Sequence, residues 1–388
     1  MKLVGNWNYP TPYQMGAGRI ASLAANASSL GMKSPLLVTD SGIVSLEFFQ
    51  GIVAALAKNG LKAAVFSDIK PNPTGKNIDD GVMLYRKGSH DGVIAIGGGS
   101  ALDAGKAIAL VCNQGASLWD FVDEGDNWSR ARPDLIPPII AVPTTAGTGS
   151  EVGRASVILD EETQSKRIIF HPKMMPELVI ADPELTVGLP ANLTAATGID
   201  ALAHNLEAYC APGYHPMAVG IAVEGMRLIK DWLPRAVADG SDIEARSHML
   251  VASSMGATAF QRGLGAIHAL AHPLGALYDA HHGLLNAILM PYVLVANRPA
   301  IEGIITDLTR SLGFANFGFD SFLDWVLDLR QELSIPHALE GIGITDNDAE
   351  KIGAMALVDP TAGTNPIQFS AQDYAAILRD SVSGRLVR

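Results

Sequence analysis

The sequence is poor in the features that mark secreted, membrane and nucleic-acid-binding proteins. Only Cys112 and Cys210 occur among 388 residues, each alone in an apolar stretch, so a disulfide framework is excluded and a reducing cytoplasm is expected. The 28 basic residues are outnumbered by 40 acidic ones. A net charge of -12 argues against nucleic acid or an anionic membrane as the main partner, because such binding relies on Lys and Arg. No run reaches about 18 uncharged apolar residues, and residues 1–7 contain no signal-peptide core, so neither a spanning nor a targeting segment is expected.

What the sequence has in quantity is apolar residues, which make up 48% of the chain against 18% charged ones. This composition is typical of a globular protein with a sizeable core, for which small-molecule chemistry is the default. One core rarely organises more than about 250–300 residues, so two domains are expected. Residues 1–187 alternate β-branched runs with helical patterns, which predicts parallel strands joined by crossover helices. Residues 188–388 are rich in Ala, Leu and Met at helical spacing, which predicts an all-α domain.

The sequence patterns predict several strands and helices with defined bounds. Runs that are apolar at consecutive positions predict strands buried on both faces, at residues 35–39, 63–66, 92–96, 139–142 and 178–181. Apolar spacing of three to four residues predicts covering helices at residues 44–60 and 78–87. Capping patterns at Ser241 and Ser370 predict two helix starts in the second half.

Two glycine-rich segments each follow a predicted strand. Gly97–Ser100 leads into a predicted helix, where glycine leaves backbone N–H groups open to a phosphate and the helix N-terminus adds partial positive charge. Pro143–Ser150 adds four hydroxyl groups that can bond a phosphate or a carboxamide. Two such loops at the carboxyl ends of parallel strands predict an extended anionic cofactor across the sheet. For the first loop alone, an ordinary strand-to-helix turn is the alternative.

Asp40 follows the strand predicted at residues 35–39. A carboxylate in such a position can accept both hydroxyls of an adenosine ribose and repel a 2′-phosphate, which favours NAD over NADP. The usual G-x-G-x-x-G pattern is missing and Asp40 precedes the glycine loop, so the order is not that of an ordinary Rossmann fold. A turn-capping acid is the alternative interpretation of Asp40.

A second group of residues predicts a metal site. Asp200 and His204 lie one helical turn apart on one face, and Glu207 follows as a candidate acceptor for a ring N–H. Carboxylate and imidazole without thiolate suit Fe(II), Zn(II), Mn(II) or Co(II) alike, and core histidines bonded to carbonyls are the alternative. Four of the ten histidines fall in one short stretch: His268, His272, His281 and His282.

Taken together, these segments resemble the iron-containing (group III) alcohol dehydrogenase family over essentially the whole chain. Two departures are Ala101, where many members have proline, and Ala155, where an amide or aromatic residue often lies near the nicotinamide. The matching motifs are residues 38–40, 71–73, 97–103, 143–151, 198–204 and 268–275.

The resemblance implies a dehydroquinate synthase-like architecture, with an N-terminal α/β dinucleotide-binding domain that has a parallel sheet and an all-α C-terminal metal-binding domain. It implies Fe(II), with Zn(II) as the other candidate, on Asp200, His204, His268 and His282, the last chosen over His281 because it precedes Gly283. His272 is implied to lie at the reaction centre without ligating. The implied NAD-binding residues are Asp40, Asn72, Gly98, Gly99, Ser100, Asp103, Thr144, Thr145, Thr148, Lys166 and Leu185.

The expected activity is an NAD-dependent alcohol dehydrogenase that interconverts a small primary alcohol or diol and its aldehyde. In this reading the metal acts as a Lewis acid, hydride moves to or from the nicotinamide, and His272 relays the hydroxyl proton, its alternative being a purely structural role. The resemblance also implies a homodimer or larger homo-oligomer. Two other functions stay open at this point: a metal-dependent hydrolase or lyase acting on a phosphorylated small molecule, and a non-catalytic NAD-binding or metal-storage module.

Overall fold

A computed structural model of the chain describes Tyr9 and residues 11–388. The expectation that residues 1–7 contain no signal-peptide core concerns residues outside this described part. The chain divides into two compact units, one formed by Tyr9–Thr145 with Gly149–Gly188 and the other by Ala146–Thr148 with Leu189–Arg388. The first is an α/β unit and the second is helical, so the predicted fold class is confirmed.

The α/β unit is built on a parallel sheet of six strands within the described residues, in the order β1-β8-β5-β4-β2-β3. Its strands are β1 (Tyr13–Met15), β2 (Pro35–Val38), β3 (Ala64–Phe66), β4 (Gly92–Gly97), β5 (Ile139–Pro143) and β8 (Leu178–Ala181). Strands β6 (Ala155–Asp160) and β7 (Ser165–Phe170) form a separate antiparallel hairpin. The five predicted strands are confirmed within one or two residues at their ends, whereas β1 and the hairpin were not predicted.

Helices cover both faces of the sheet: α1 (Leu23–Ser29), α2 (Glu47–Lys58), α3 (Gly75–Lys87) and α4 (Gly99–Val111). Neighbouring residues of β2 point to opposite faces, as the two-residue period of a strand requires. Leu36 and Val38 pack with residues of α3 and α4, while Leu37 packs with residues of α1 and α2. The consecutive apolar residues of β2 therefore follow from burial on both faces.

The strand order reverses between β2 and β4. From β2 the chain continues outward to β3, and from β4 it continues to the other side, to β5. In open parallel sheets, ligands bind at the carboxyl ends of the strands where the order reverses. Asp40 and the Gly97–Ser100 loop follow these two strands, so both lie at this switch point.

The helical unit contains α5 (Ala191–Cys210), α6 (Pro216–Ala238), α7 (Ile243–Ala259), α8 (Ala266–Tyr278), α9 (His282–Ser311), α10 (Phe319–Glu332), α11 (Ala349–Leu357) and α12 (Ala371–Ser383). Their apolar residues form one continuous core. Helix α9 is long and apolar enough to cross a membrane by length and composition, but most of its apolar window is buried inside the protein. That burial is typical of a core helix.

The two predicted capping patterns have different outcomes. Ser370 forms a capping box with Asp373 at the start of α12, as predicted. The helix start predicted at Ser241 is confirmed, since α7 begins at Ile243, but the capping residue is Asp242, which accepts the N–H of Ala245 at 3.0 Å. The side chain of Ser241 donates to Asp239 instead.

Candidate metal centre and nucleotide site

Three helices of the helical unit carry the predicted metal ligands. Helix α5 holds Asp200 and His204 one turn apart, α8 holds His268, and α9 begins at His282. Helix α9 lies directly against α5 at Gly283, where a Cβ atom would be 2.6 Å from the carbonyl oxygen of Ala196. This close packing brings the first residue of α9 beside Asp200.

The three predicted histidine ligands converge on one oxygen atom of the fourth ligand, Asp200. Asp200 Oδ1 lies 4.0 Å from His204 Nε2, 3.9 Å from His268 Nε2 and 3.8 Å from His282 Nε2. The donor atoms of Asp200, His204 and His268 lie within 4.8 Å of one another, a group that does not include His282. Donor atoms bound at about 2.0–2.2 Å to one tetrahedral ion are about 3.3–3.6 Å apart, so these donors would move inward on binding one. Asp200, His204 and His268 are buried, which gives their polar atoms little access to water.

The ring nitrogens that point away from this oxygen also have partners. His204 Nδ1 lies 3.2 Å from the carbonyl oxygen of Gly147, and burial lowers the pKa of His204 to about 4, which keeps the ring neutral. His268 Nδ1 lies 2.6 Å from Glu207 Oε2. Burial lowers the pKa of His268, but Glu207 outweighs it and the net pKa is raised. A carboxylate that accepts the Nδ1 proton leaves Nε2 with the lone pair that binds a cation.

Glu207 also fixes the start of α8. Its Oε1 accepts the backbone N–H of Ile267 at 2.7 Å, so both carboxylate oxygens are engaged by residues of α8. The sequence spacing suggested Glu207 as an acceptor because it is close to His204. In the structure it serves His268, which comes from another helix.

His272 lies beside this cluster and has its own carboxylate partner. Its Nδ1 is 2.8 Å from Asp359 Oδ2, and its ring stacks on that of His282 with centroids 5.5 Å apart. Asp359 Oδ1 accepts the backbone N–H of Thr361 at 2.9 Å. Burial works to raise the pKa of Asp359, but His272 and Thr361 outweigh it, and the pKa lies below its usual value. The carboxylate is therefore ionised and holds the His272 ring in one orientation.

Two polar residues at this centre were not identified from the sequence. Asn286, one turn after His282, places its amide nitrogen 2.7 Å from Asp200 Oδ1. The i,i+4 spacing from His282 was the available signal for it. Asp359 lies far from His272 in the chain, and its only local signal is the Asp-Pro pair that starts a short 3-10 helix.

The predicted nucleotide residues gather mainly at the switch point of the α/β unit. Asp40 Oδ1 accepts the N–H groups of Gly42 and Ile43 at 2.9 and 3.0 Å, so the turn-capping role weighed for Asp40 is real. Its Oδ2 lies beside Gly97, 3.4 Å from the position that a Cβ atom on Gly97 would take. Gly97 has φ of 152° and its Cβ would lie 2.7 Å from that of Ala101, so glycine is required there.

Helix α4 begins at Gly99, with Gly98 as its N-cap. A Cβ on Gly98 would lie 3.2 Å from Thr145 Oγ1, which shows how closely the two glycine-rich segments approach. The N–H of Thr144 donates to the carbonyl of Gly97 at 3.0 Å. The N-terminus of α4 therefore lies where β4 and β5 end, and the glycines at its start add no side chains there, an arrangement suited to binding an anion.

Ser100 and the hairpin that contains Lys166 are both hydrogen-bonded to the loop that contains Asn72. The Ser100 hydroxyl donates to the carbonyl of Pro71. Lys166 is opposite Leu159 in the hairpin, and the N–H of Leu159 donates to the carbonyl of Pro73 at 2.8 Å. These bonds bring the predicted residues of α4, the hairpin and residues 71–73 into one region.

Asp103 has a different environment. Its carboxylate accepts the Ser150 hydroxyl and the N–H of Val157, the latter at 2.8 Å, and lies 3.3 Å from the ammonium group of Lys106. Burial lowers the pKa of Lys106 although Asp103 opposes this effect. Asp103 and Lys106 thus bind α4 to the hairpin and to the second glycine-rich segment. Of the two, Lys106 was not predicted from the sequence.

Two of the predicted cofactor residues have other environments. Leu185 is buried in the core on the α1 and α2 side of the sheet. Thr148 belongs to the short segment Ala146–Thr148 that groups with the helical unit.

Comparisons with known proteins identify relatives over the whole chain. Residues 10–183 match the family model described as iron-containing alcohol dehydrogenase, and residues 194–382 match the C-terminal model of the Fe-containing alcohol dehydrogenase family. The chain is 39% identical to 4-hydroxybutyrate dehydrogenase of Cupriavidus necator over 384 residues, covering 96% of this chain and 99% of that protein.

Solved structures agree with these relatives. A 1,3-propanediol oxidoreductase has a TM-score of 0.91 at 34% identity, covering 97% of this chain and all of the other. Sulfoacetaldehyde reductase from Bifidobacterium kashiwanohense, solved in complex with NAD+, has a TM-score of 0.89 at 29% identity, covering 98% of this chain and all of the other.

Proposed function

Because the chain belongs to the iron-containing alcohol dehydrogenase family and is therefore an alcohol dehydrogenase, we propose that it is metal-dependent and NAD(H)-linked and acts on a small primary alcohol or diol. The observation that carries this proposal is the convergence of three imidazole nitrogens on Asp200 Oδ1, at 3.8 to 4.0 Å. The relatives described above are named for 4-hydroxybutyrate, 1,3-propanediol and sulfoacetaldehyde, which supports a short substrate.

The donor set fits a divalent ion, Fe(II) by family resemblance or Zn(II). Asp200, His204, His268 and His282 would hold it, and when bound it supplies Lewis-acid polarisation of the substrate oxygen. Burial keeps the His204 ring neutral. The Nδ1 atom of His204 is bonded to the carbonyl of Gly147, and that of His268 to Glu207, so the Nε2 atom of each ring faces Asp200. A divalent ion held by one carboxylate and three imidazole ligands would keep a net positive charge, which favours binding of an oxygen anion.

The switch point fits a dinucleotide. NAD supplies the hydride acceptor when bound. The N-terminus of α4 at Gly99 offers unpaired N–H groups to the phosphates, and Gly98 keeps the approach free of a side chain. Asp40, held in its turn through Oδ1, keeps Oδ2 for the ribose. This assignment favours NAD over NADP.

Transfer of the alcohol proton is assigned to His272. Asp359 engages Nδ1 at 2.8 Å, which leaves Nε2 as the nitrogen that can accept or return a proton. Asp359 does not touch the reacting atoms in this mechanism. It acts by fixing the tautomer and the ring plane of His272.

The decisive experiment is turnover by protein loaded anaerobically with Fe(II), NAD and a panel of alcohols from ethanol through propane-1,2-diol to longer chains, followed by the absorbance of NADH. We expect NADH to form with short primary alcohols or diols, and chelation of the metal to abolish it. Turnover of a phosphorylated compound without NAD would support the hydrolase or lyase instead.

Cofactor preference is tested with Asp40→Ser beside Asp40→Gly. The serine hydroxyl can still accept the turn N–H groups, whereas the charge that repels a 2′-phosphate is gone in both variants. We expect both to lower the ratio of kcat/KM for NAD over NADP, and only Asp40→Gly to lose stability as well. An unchanged ratio in both variants contradicts the assignment.

For assembly and location, we propose a cytoplasmic homodimer or larger homo-oligomer with no nucleic-acid or membrane partner. The two free, buried cysteines and the net charge of -12 support the compartment and the absence of such partners. Light scattering coupled to gel filtration tests the oligomeric state.

A further inference from the structure

Asn286 contacts three of the four predicted metal ligands through one atom. Its amide nitrogen lies 2.7 Å from Asp200 Oδ1 and 3.2 Å from the Nε2 atoms of both His268 and His282. The residue is fully buried on α9. None of the cofactor or ligand assignments made above includes it.

The hydrogen-bonding capacities of these groups define the role of the amide. An ionised Asp200 can only accept, and His268 presents a lone pair at Nε2 when its Nδ1 proton is donated to Glu207. The nitrogen end of Asn286 supplies two N–H donors to this group of acceptors. Its buried oxygen end has no hydrogen-bond partner among the described residues, so the predicted ligands alone set the orientation of the amide.

We propose that Asn286 is a positioning residue for the metal, which donates to Asp200 Oδ1 and holds that oxygen towards the three imidazoles. This inference rests on the metal site of the proposed function. The N–H donated by Asn286 restrains the Asp200 carboxylate so that it ligates through one oxygen. Outer donors of this kind commonly contribute about 10–100-fold to metal affinity.

The test compares Asn286→Ala and Asn286→Leu with the parent protein by titrating Zn(II) and Co(II) against a competing chelator. Leucine keeps the branched skeleton of asparagine but has no donor, and alanine removes the donor without adding bulk, so the two variants together separate the hydrogen bond from packing. We expect both variants to raise the metal Kd by about 10–100-fold. We also expect the Co(II) spectrum of Asn286→Leu to change, because an unrestrained Asp200 can turn both oxygens to the ion.

A matched control is Thr309→Val, another fully buried polar residue on α9. The Thr309 hydroxyl donates to the carbonyl of Thr306 and accepts the N–H of Gly318 at 3.1 Å, away from the metal ligands. Thermal unfolding in the presence of chelator shows whether each variant folds. We expect Thr309→Val to lose stability but to keep the parent Kd for the metal.

The outcomes separate this inference from the proposed function. If the parent protein binds neither Zn(II) nor Co(II), the metal site itself is wrong. If the parent binds and Asn286→Leu keeps the parent Kd and Co(II) spectrum, the positioning role is overturned while the metal site stands. Equal weakening by Thr309→Val would also overturn it, because general stability would then account for the effect.

Discussion

Two adjacent histidines at the start of α9 make different contacts. His282 places Nε2 3.8 Å from Asp200 Oδ1, whereas His281 is the N-cap of α9 and its Nδ1 accepts the N–H of Leu284 at 3.3 Å. We expect His282→Ala to weaken metal binding by more than about 100-fold, beyond the usual loss for an outer partner. His281→Ala should keep the metal and lose about 0.5–1 kcal/mol of stability as a capping change. Metal stoichiometry of both variants after anaerobic Fe(II) loading checks this, and metal loss in His281→Ala alone would contradict it.

The pair of His272 and Asp359 yields a second prediction for single residues. Asp359→Asn keeps the size of the side chain but removes the charge that fixes the His272 tautomer. We expect kcat to fall by about tenfold, less than the roughly 10²–10⁴-fold typical of an acid–base group itself because His272 stays in place, with metal content and KM little changed. The control is Asp348→Asn, an exposed acid that accepts only the Tyr278 hydroxyl among the bonds seen for its side chain, at 2.9 Å. An unchanged kcat in Asp359→Asn would remove the positioning role.

Among the elements, the contact between α5 and α9 decides whether the ligands meet. A Cβ on Gly283 would lie 2.6 Å from the Ala196 carbonyl oxygen and 3.2 Å from Asp200 Cβ, so Gly283→Ala must push the start of α9 away. We expect a loss of about 1–3 kcal/mol in the free energy of unfolding, together with weaker metal binding. Gly303→Ala in the same helix meets nothing within 4 Å and should stabilise the protein by about 0.5–1 kcal/mol. Urea unfolding and metal titration of both variants test this, and parent-like metal affinity in Gly283→Ala would contradict it.

The predictability of the elements follows from how fully each is buried. Four of the five predicted strands, β2, β4, β5 and β8, are buried at every residue, so their apolar runs are continuous in the sequence. The fifth, β3, is an edge strand with two half-buried residues, but its residues are apolar as well. Strand β1 has three half-buried residues, Tyr13–Met15. In the hairpin, β6 is half-buried except at Ser156 and Ile158, and β7 is half-buried except at Ile169, so neither β1 nor the hairpin presents such a run. Both owe their pairing to partners that the local sequence does not reveal.

The site divides in the same way. Asp200 with His204 and His268 with His272 show their helical spacing directly, and the structure brings the first three together. Glu207 was named for its closeness to His204, but it contacts His268 because α5 and α8 pack together. Asp359 has no spacing relation to His272, since only the tertiary fold joins them. Sequence patterns therefore predict the ligands, whereas their outer partners require coordinates.

At the scale of the whole molecule, the proposed metal ligands lie in one unit and most of the proposed nucleotide residues lie in the other. The metal ligands with Gly147 and Glu207 belong to the helical unit, while Asp40, Gly98 and Asp103 belong to the α/β unit. The packing of α5, α8 and α9 holds the proposed metal ligands, and the switch point of the sheet holds most of the proposed nucleotide residues. Thr148 is the exception, because the part of the second glycine-rich segment at Ala146–Thr148 groups with the helical unit.

The two cysteines give a prediction for the stability of the whole protein. Burial raises the pKa of both Cys112 and Cys210 to about 12. An unfolded thiol has a pKa of about 8.5, so the folded protein keeps protons that the unfolded chain releases. The stability that depends on these protons is fully present below about pH 8.5 and is lost as the pH rises towards the folded pKa. Each thiol should therefore lower the free energy of unfolding by about 1.4 kcal/mol per pH unit above that value.

We expect the native protein to resist an aromatic disulfide reagent at pH 8, with both thiols reacting after unfolding in urea. We also expect the double variant Cys112→Ala with Cys210→Ala to lose less stability than the parent between about pH 8.5 and 10. Tyr85 and Tyr374, whose pKa burial also raises, contribute only above about pH 10, so this window isolates the thiols. Subtracting the two pH profiles removes the contribution of every other group. Parallel profiles, or rapid reaction of the folded protein with the reagent, would show that the thiols are accessible and ionise normally.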